Sequence, residues 1–494
     1  MTLSSRSTPG LLQAEPEGEI RFEPRIFELG PAAEFEFAGA LARLSGLRGL
    51  AALDSADFEG FEPRDAGEAW IAFEPRVDLT GDRPASAAFQ AAERVRTLSP
   101  VPGRFQGGFL GALAYDLGVE LGGAASPWAS AHAGSSAPAA PFLPSDPLRT
   151  PGIVGGLYTN FVHVARGGVA SLVIDGADPG AQELEARVRA ALAGPLPELE
   201  QLTPTGALRR LTSSAEHRAR IEAIRERIAA GDLYQANLCH RSTLPCLGDP
   251  LELYLRLRQA NPAPYMAFLQ HAGGAIVSSS PELLLDLTPA AENRPAVART
   301  QPIKGTAPRS SDPVQDAQLA SALNRSPKDR AELAMIVDLE RNDLGRWARP
   351  GGVQVARFPV LRSFARVHHL LADVTAELVP EARAAEVFAS LFPGGSITGA
   401  PKLAALETLA HLEGEGRGHF TGSLGFASSC GAARFNILIR TWLHRRCAER
   451  GDFLSLSVGG GITYDSDAEQ EDRETGHKAR ALLEAIGLDP ESLP

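Results

Sequence analysis

Cysteine is scarce in this sequence: 494 residues contain four, Cys239, Cys246, Cys430 and Cys447. None forms a C-x-x-C pair or takes a spacing with His that suits zinc, which argues against a structural zinc module and predicts free thiols in a reducing compartment. Long apolar runs are missing too. No stretch of about 18 apolar residues occurs, so no membrane-spanning helix is expected, and the first twenty residues hold no apolar core of signal-peptide length. A cytoplasmic location is the expectation. Also lacking is a concentrated Lys/Arg stripe of the sort that tracks a phosphate backbone. With 48 basic against 60 acidic residues and a net charge of −12, nucleic acid is not an expected partner. An anionic substrate would gain nothing from the overall field and would need locally placed cations or a metal.

What is present is ordinary globular material, 44% apolar and 22% charged, over a length that can bury a large core. Residues 123–150 are rich in Ala, Ser and Pro and predict an exposed loop. A second such stretch, GPLPELEQLTPTG near 194–206, predicts a boundary between an N-terminal part, 1–200, and a C-terminal part, 205–490. The latter opens with Ser213-Ser214-Ala215-Glu216, a capping box, followed by Ile221, Ile224 and Ile228 at helical spacing and Gly231 as a stop, which predicts a helix over 214–230. Ser326-Pro327 predicts the start of a second helix through AELAMIVDLERND, and QEDRETGHKARALLEAIG predicts a last one. GAIVSSSPELLLDL, ARFNILIRTWLHR and FLSLSVGGGITY read as strands bounded by Gly or Pro. Consecutive strands interrupted by a few long helices point to an α+β architecture with largely antiparallel sheets.

Chemistry concentrates in a few segments. Asp329 and Glu332 lie three apart at the start of one helix, and Glu471 and Glu474 repeat that spacing on the last, with Lys478 a turn further along. If the two acidic faces meet, their repulsion must be neutralised, and magnesium suits such a site because it accepts one or two carboxylates plus waters and an anionic substrate. Read separately, the same acids would be solvated helix faces. Lys304 sits in PIKGTAPR, where Pro302, Gly305 and Pro308 mark a tight turn; buried, its amine would become a nucleophile, and exposed it would be an ordinary turn lysine. PGGSITGAPK lacks the G-K-[ST] ending of a phosphate loop, so its glycines, like those of GGGITYDSD, suit close approach of backbone amides to a carboxylate. His368-His369 has no acidic or Cys partner at metal spacing and reads first as a structural pair.

Taken in order, GDLYQANLCHR, SSSPELLL, PIKGTAPR, DRAELAMIVDLERNDLGR, VHHL, FPGGSITGAPKLAALE, FTGSLGF, FNILIRTW and GGGITYDSDAEQEDRETGHKA resemble the chorismate-utilising family over roughly residues 205–488. The resemblance implies antiparallel sheets packed as a sandwich with helices on the outside. It also implies Mg2+ held by Glu332 and Glu474, with Asp329 and Glu471 placed to hold metal-bound water. Gly460, Thr398 and Lys478 match positions near the substrate ring carboxylate. Arg440 matches the partner of the enolpyruvyl carboxylate, and Phe420 stands where a Tyr hydroxyl is common. Glu282 matches the general acid that protonates the departing 4-hydroxyl, and His369 matches an active-site histidine. In the N-terminal part, LAALDSADF and GGFLGALAYDLG resemble segments that build an amino-acid pocket, for which Ser55, Pro264, Tyr265 and Met266 are the candidates. Ala112 stands there where an aromatic is common.

Two positions separate subfamilies. Gln235 replaces the lysine that activates water in the isochorismate-forming members, which favours ammonia as the nucleophile. Lys304 stands where anthranilate-forming members have alanine and aminodeoxychorismate-forming members have lysine. The resemblance implies amination of chorismate at C4 through a covalent Lys304 adduct, with anthranilate formation as the nearest alternative and a non-catalytic amino-acid-binding subunit as one of another class. No Cys nucleophile elbow with a downstream His-x-Glu is apparent, so ammonia is expected from a glutamine amidotransferase partner.

Overall fold

The computed structural model describes residues 18–55, 68–119, 146, 148, 150–165, 167–448 and 451–489. The loop expected at 123–150 falls outside these, apart from Asp146, Leu148 and Thr150. Strands of the described residues form a 13-stranded sheet, a 10-stranded sheet and a two-stranded ribbon. Every pairing within the two large sheets is antiparallel; only Ile20–Phe22 with Val95–Thr97 runs parallel. The α+β architecture and the sandwich are therefore as expected. Both sheets take strands from either side of residue 205.

Alternation along the strands shows how the layers pack. In Glu68–Ala72, Trp70 and Ala72 enter the core between the sheets, while Ala69 and Ile71 enter a second core on the opposite face. Tyr265–His271 repeats the pattern, Ala267 and Leu269 inward, Met266 and Phe268 outward. Period-two side-chain direction on a strand buried on both faces requires this near-continuous apolar sequence. Trp70 of the larger sheet meets Phe426 of the smaller edge-on, with ring centroids 5.2 Å apart, so the two inner faces are in direct contact. Helices Phe37–Arg43, Ala181–Ala193, Pro250–Ala260 and Ala468–Ala485 supply apolar residues to the outer core.

The three expected helices form as Ser214–Ala229, Pro327–Gly345 and Ala468–Ala485. Ser213 accepts from the Glu216 amide and Ser326 from the Asp329 amide, the caps the sequence advertises. Asp467 caps the last helix through the Gln470 amide. All four cysteines are free thiols. Among the described residues, no helix is long and apolar enough to cross a membrane.

Two crossings between the sheets position the site. Strand Gly274–Ser280 belongs to the larger sheet and Leu283–Thr288 to the smaller, so Pro281-Glu282 is the link between them. Ala433–Asn436 and Thr441–Arg445 make the return crossing through residues 437–440. The links are tied together, since the Ile437 amide donates to Glu282 O at 3.0 Å and the Ser279 amide to Arg440 O at 3.1 Å. Glu282 and Arg440 thus come from adjacent links at the seam of the sandwich.

Candidate active site

A cleft of about 1010 Å³ opens at this seam. Its walls include Glu282, Lys304, Asp329, Glu332, His369, Phe420, Arg440, Glu471, Glu474 and Lys478. Ten candidates separated by up to 196 residues of sequence therefore share one surface, and the two acidic helix faces do meet.

Lys304 comes from the edge strand Ile303–Pro308, and its Nζ donates to the carbonyl of Ser396 at 3.1 Å. Gly305 beside it has φ +79, and a Cβ there would come within 3.0 Å of the Asp329 side chain, so this turn lies directly on the helix that carries the first acid pair. Burial pulls the Lys304 amine below its ordinary pKa, against the attraction of Glu332 and Glu282. A larger share of it is neutral, and hence nucleophilic, than in a solvated lysine.

Glu282 is 3% exposed and accepts from the Ile303 amide at 3.3 Å. Burial pushes its pKa up although Lys304 and Arg440 pull it down, so it keeps its proton to higher pH than a free glutamate. Arg440 has φ +51, a left-handed backbone that costs a non-glycine residue roughly 1–3 kcal/mol and that persists where the surroundings over-determine it. Its guanidinium donates to His369 Nε2 at 3.0 Å. Burial, with Arg440 adding to it, drives the His369 pKa down to about 3, so the ring is neutral. Since Nε2 accepts, the proton sits on Nδ1, which faces the Thr306 hydroxyl at 2.9 Å and Gly305 O at 3.3 Å. His368 points to the other side of the same strand, to Ser363 Oγ at 2.8 Å and Asp316 Oδ1 at 3.0 Å, as strand alternation requires.

On the last helix, Lys478 bridges to Glu474 Oε1 at 2.8 Å and donates to Gly459 O at 3.0 Å. Burial would raise the Glu474 pKa, but Lys478 outweighs it and holds the carboxyl below its ordinary range. Glu332 behaves oppositely: burial raises it, and the negative charges of Asp329 and Glu471 add to that against Lys304 and Lys328. Glu471 Oε1 accepts from Ser466 Oγ at 2.7 Å. A Cβ on Gly460 would lie 3.2 Å from Glu471 Oε2 and 3.5 Å from Lys478 Nζ, which places this backbone between the acids and the lysine.

Two candidates lie behind the wall. Thr398 is fully buried with its hydroxyl on Tyr115 OH at 3.2 Å. Gln235 is also fully buried, and neither polar atom of its amide has a partner. A Cβ on Gly461 would lie 2.5 Å from the Gln235 amide nitrogen and 3.3 Å from Lys304 Nζ, so amide and amine converge on one glycine. The proposed amino-acid pocket is a separate place: Ser55, Pro264, Tyr265 and Met266 are all buried, with Met266 paired to Asp54. Tyr265 donates to Gln301 Oε1 at 3.5 Å, and the rest of LAALDSADF after Ser55 lies outside the described residues.

Sequence reading missed Asn237, Asn261 and Thr306 in the cleft wall and Arg417 behind it. Only Arg417 carried a signal, its i,i+4 spacing from Glu413. Among the described residues, no three His, Cys, Asp or Glu side chains gather closely enough to hold a metal by themselves. What the cleft offers is a half-buried amine of lowered pKa, a carboxyl of raised pKa, a cationic Arg–His pair and a bank of carboxylates.

The sequence pattern of chorismate binding enzymes matches residues 58–484. Aminodeoxychorismate synthase component 1 from Klebsiella aerogenes is 41% identical over 302 residues, which is 61% of this chain and 64%, a little under two thirds, of that protein. Anthranilate synthase component 1 from Streptomyces coelicolor is 36% identical over 431 residues, covering 83% of this chain and 78% of that one. The crystal structure of anthranilate synthase component I from Streptococcus pneumoniae superimposes with a TM-score of 0.70 at 25% identity, over 84% of this chain and 92% of the other. A match spanning most of the chain, with the same fold around the seam, settles the family: the chain belongs to the chorismate binding enzymes.

Proposed function

We propose that the protein aminates chorismate at C4 to 4-amino-4-deoxychorismate, using ammonia delivered by a glutamine amidotransferase partner. The observation that carries this reading is Lys304, a half-buried amine of lowered pKa sharing one cleft with a carboxyl of raised pKa. In this reading the Lys304 amine bonds to C2 of chorismate as the 4-hydroxyl departs with a proton from Glu282. Ammonia then bonds to C4 and the C2–N bond breaks, returning the amine, while the surplus proton of the new C4 ammonium goes back to the Glu282 carboxylate. Dividing one difficult displacement into two is the benefit of covalent catalysis. Arg440, backed by neutral His369, is placed to pair with the enolpyruvyl carboxylate. Gln235, an amide with no base at hand, suits ammonia better than water as the second nucleophile.

Mg2+ fits the acidic bank. The donors there are all oxygen, Glu332 is destabilised by its acidic neighbours, and magnesium needs only one or two carboxylates beside waters and an anion. Glu332 and Glu474 would hold it, with Asp329 and Glu471 on its waters. Bound there, a divalent cation would neutralise the bank and give the substrate ring carboxylate a fixed positive partner. Glu474→Gln is expected to raise the magnesium concentration for half-maximal activity at least about tenfold, the lower end of the loss when even an outer partner of a metal ligand is removed. Magnesium-dependent protection against thermal unfolding should weaken in parallel; unchanged titrations in both measurements would reject these ligands.

Anthranilate formation is the second reading, favoured by the longer stretch of chain that the Streptomyces coelicolor protein covers. Incubation with chorismate, magnesium and an ammonium salt, followed by mass analysis with and without an added lyase, separates the two. The expected product retains its enolpyruvyl group until the lyase is added. Fluorescent anthranilate released without the lyase would overturn the assignment.

A further inference from the structure

Arg417 is 4% exposed and never reaches the cleft surface, yet all five of its N–H donors are engaged. Nε and Nη2 grip Glu413 in a two-pronged pair at 2.9 and 2.7 Å. The remaining donors go to Ile397 O at 2.9 Å, Asn237 O at 2.7 Å and Thr421 Oγ1 at 3.3 Å. These three partners share one property, that each belongs to a residue of the cleft wall. Ile397 follows Ser396, whose carbonyl receives the Lys304 amine. Thr421 has φ +58 and follows Phe420, so the arginine also braces a strained link of the wall. The guanidinium itself is fixed from behind. It lies 4.7 Å over the Tyr115 ring, and Asp116 accepts from the Arg417 and Gly418 amides at 3.1 and 2.9 Å.

We infer that Arg417 is a positioning residue for the reaction: its planar fork fixes the 396–398 turn, Asn237 and Thr421 relative to one another and so sets where the Lys304 amine points. A buried charge that served stability alone would need only Glu413, and the exchange of a buried ion pair for apolar residues is often neutral or stabilising. Here three donors are spent on backbone and hydroxyl oxygens of three separate segments that meet at one cleft. Only a rigid planar cation with donors on several sides can span them, which an ammonium cannot do. The inference rests on the reading that the Lys304 side of the cleft carries the reaction.

The test replaces the pair together, Arg417→Met with Glu413→Leu, so that no unpaired charge is buried, and adds Arg417→Lys as a second variant. Fold is followed by thermal melting, the number of competent sites by chorismate binding stoichiometry, and turnover per site with ammonium as nitrogen donor. The expected result is a native-like melt and stoichiometry with kcat about 100-fold lower and KM within about threefold, because displacing a reacting group by about 1 Å costs that much. If the double variant fails to fold, Arg417→Lys decides by the same ratio. Wild-type kcat per competent site in a folded variant would overturn the inference, as would a loss of turnover matched by an equal loss of sites. Identity of the wild-type product tests the amination reading separately, because the ratio is read on whichever product forms.

Discussion

Lys304→Ala is expected to abolish the protein–substrate adduct in intact-mass analysis and to lower turnover by several orders of magnitude, with chorismate binding retained. The expectation follows from geometry before it follows from any relative. The amine is half-buried in the cleft wall, its one hydrogen-bond acceptor is the Ser396 carbonyl at 3.1 Å, and it stands within the electrostatic reach of Glu282 and Glu332. A lysine kept only for structure would pair with a carboxylate at contact distance, as Lys402 does with Asp343 at 2.7 Å. Lys304 instead donates to a neutral carbonyl, which leaves its lone-pair form accessible and lets burial depress the pKa. Loss of the nucleophile in a covalent route leaves only direct displacement by ammonia, aided by whatever the cleft contributes through binding and charge. The control is Lys304→Arg, which keeps the charge and no nucleophile and should be equally inactive. Wild-type-like turnover in the alanine variant would remove covalent catalysis while leaving the acid and metal walls to be judged on their own.

How much of this was legible in the chain depends on the range of the interactions concerned. Capping at Ser213 and Ser326, and the i,i+3 and i,i+4 spacing of Asp329, Glu332, Glu471, Glu474 and Lys478, are local rules, and the helices they mark form where those rules place them. The opposite directions of His368 and His369 are equally local, a consequence of strand alternation once the VHHL segment is assigned to a strand. Meeting of the two acidic helices was an open alternative in the sequence, because nothing in the 122 residues between them, 346–467, fixes their approach. The sheet crossings at Pro281-Glu282 and 437–440 were not legible at all. Each depends on which sheet the flanking strands join, a property of pairings such as Leu283 with Asn436 and Ser278 with Thr441, far apart in sequence. Thr398 shows the same limit at the scale of one side chain. Its hydroxyl is claimed by Tyr115, a residue from a segment that reads only as part of an amino-acid pocket.

Glu282→Gln is expected to lower kcat/KM by about 10² to 10⁴, the usual worth of a positioned general acid, and to erase the high-pH limb of its profile. The sign follows from the environment. Burial raises the Glu282 pKa above its ordinary value, so the proton needed by the departing hydroxyl is present at low pH and is lost as pH rises through the folded pKa. Lys304 bounds the other side, because its amine must be neutral and its burial-lowered pKa moves that limb down from the usual lysine range. Wild-type kcat/KM is thus expected to be bell-shaped, with the acid and nucleophile roles assigned to the two members of one pair. In Glu282→Gln the amide can still accept from the Ile303 amide through its oxygen, so the link between the sheets is preserved and the loss is chemical. Glu282→Asp shortens the side chain at the same seam and should retain a limb while losing rate through distance. A Glu282→Gln enzyme whose profile keeps its high-pH limb would assign that titration to another group and leave Glu282 as a structural acid of the crossing.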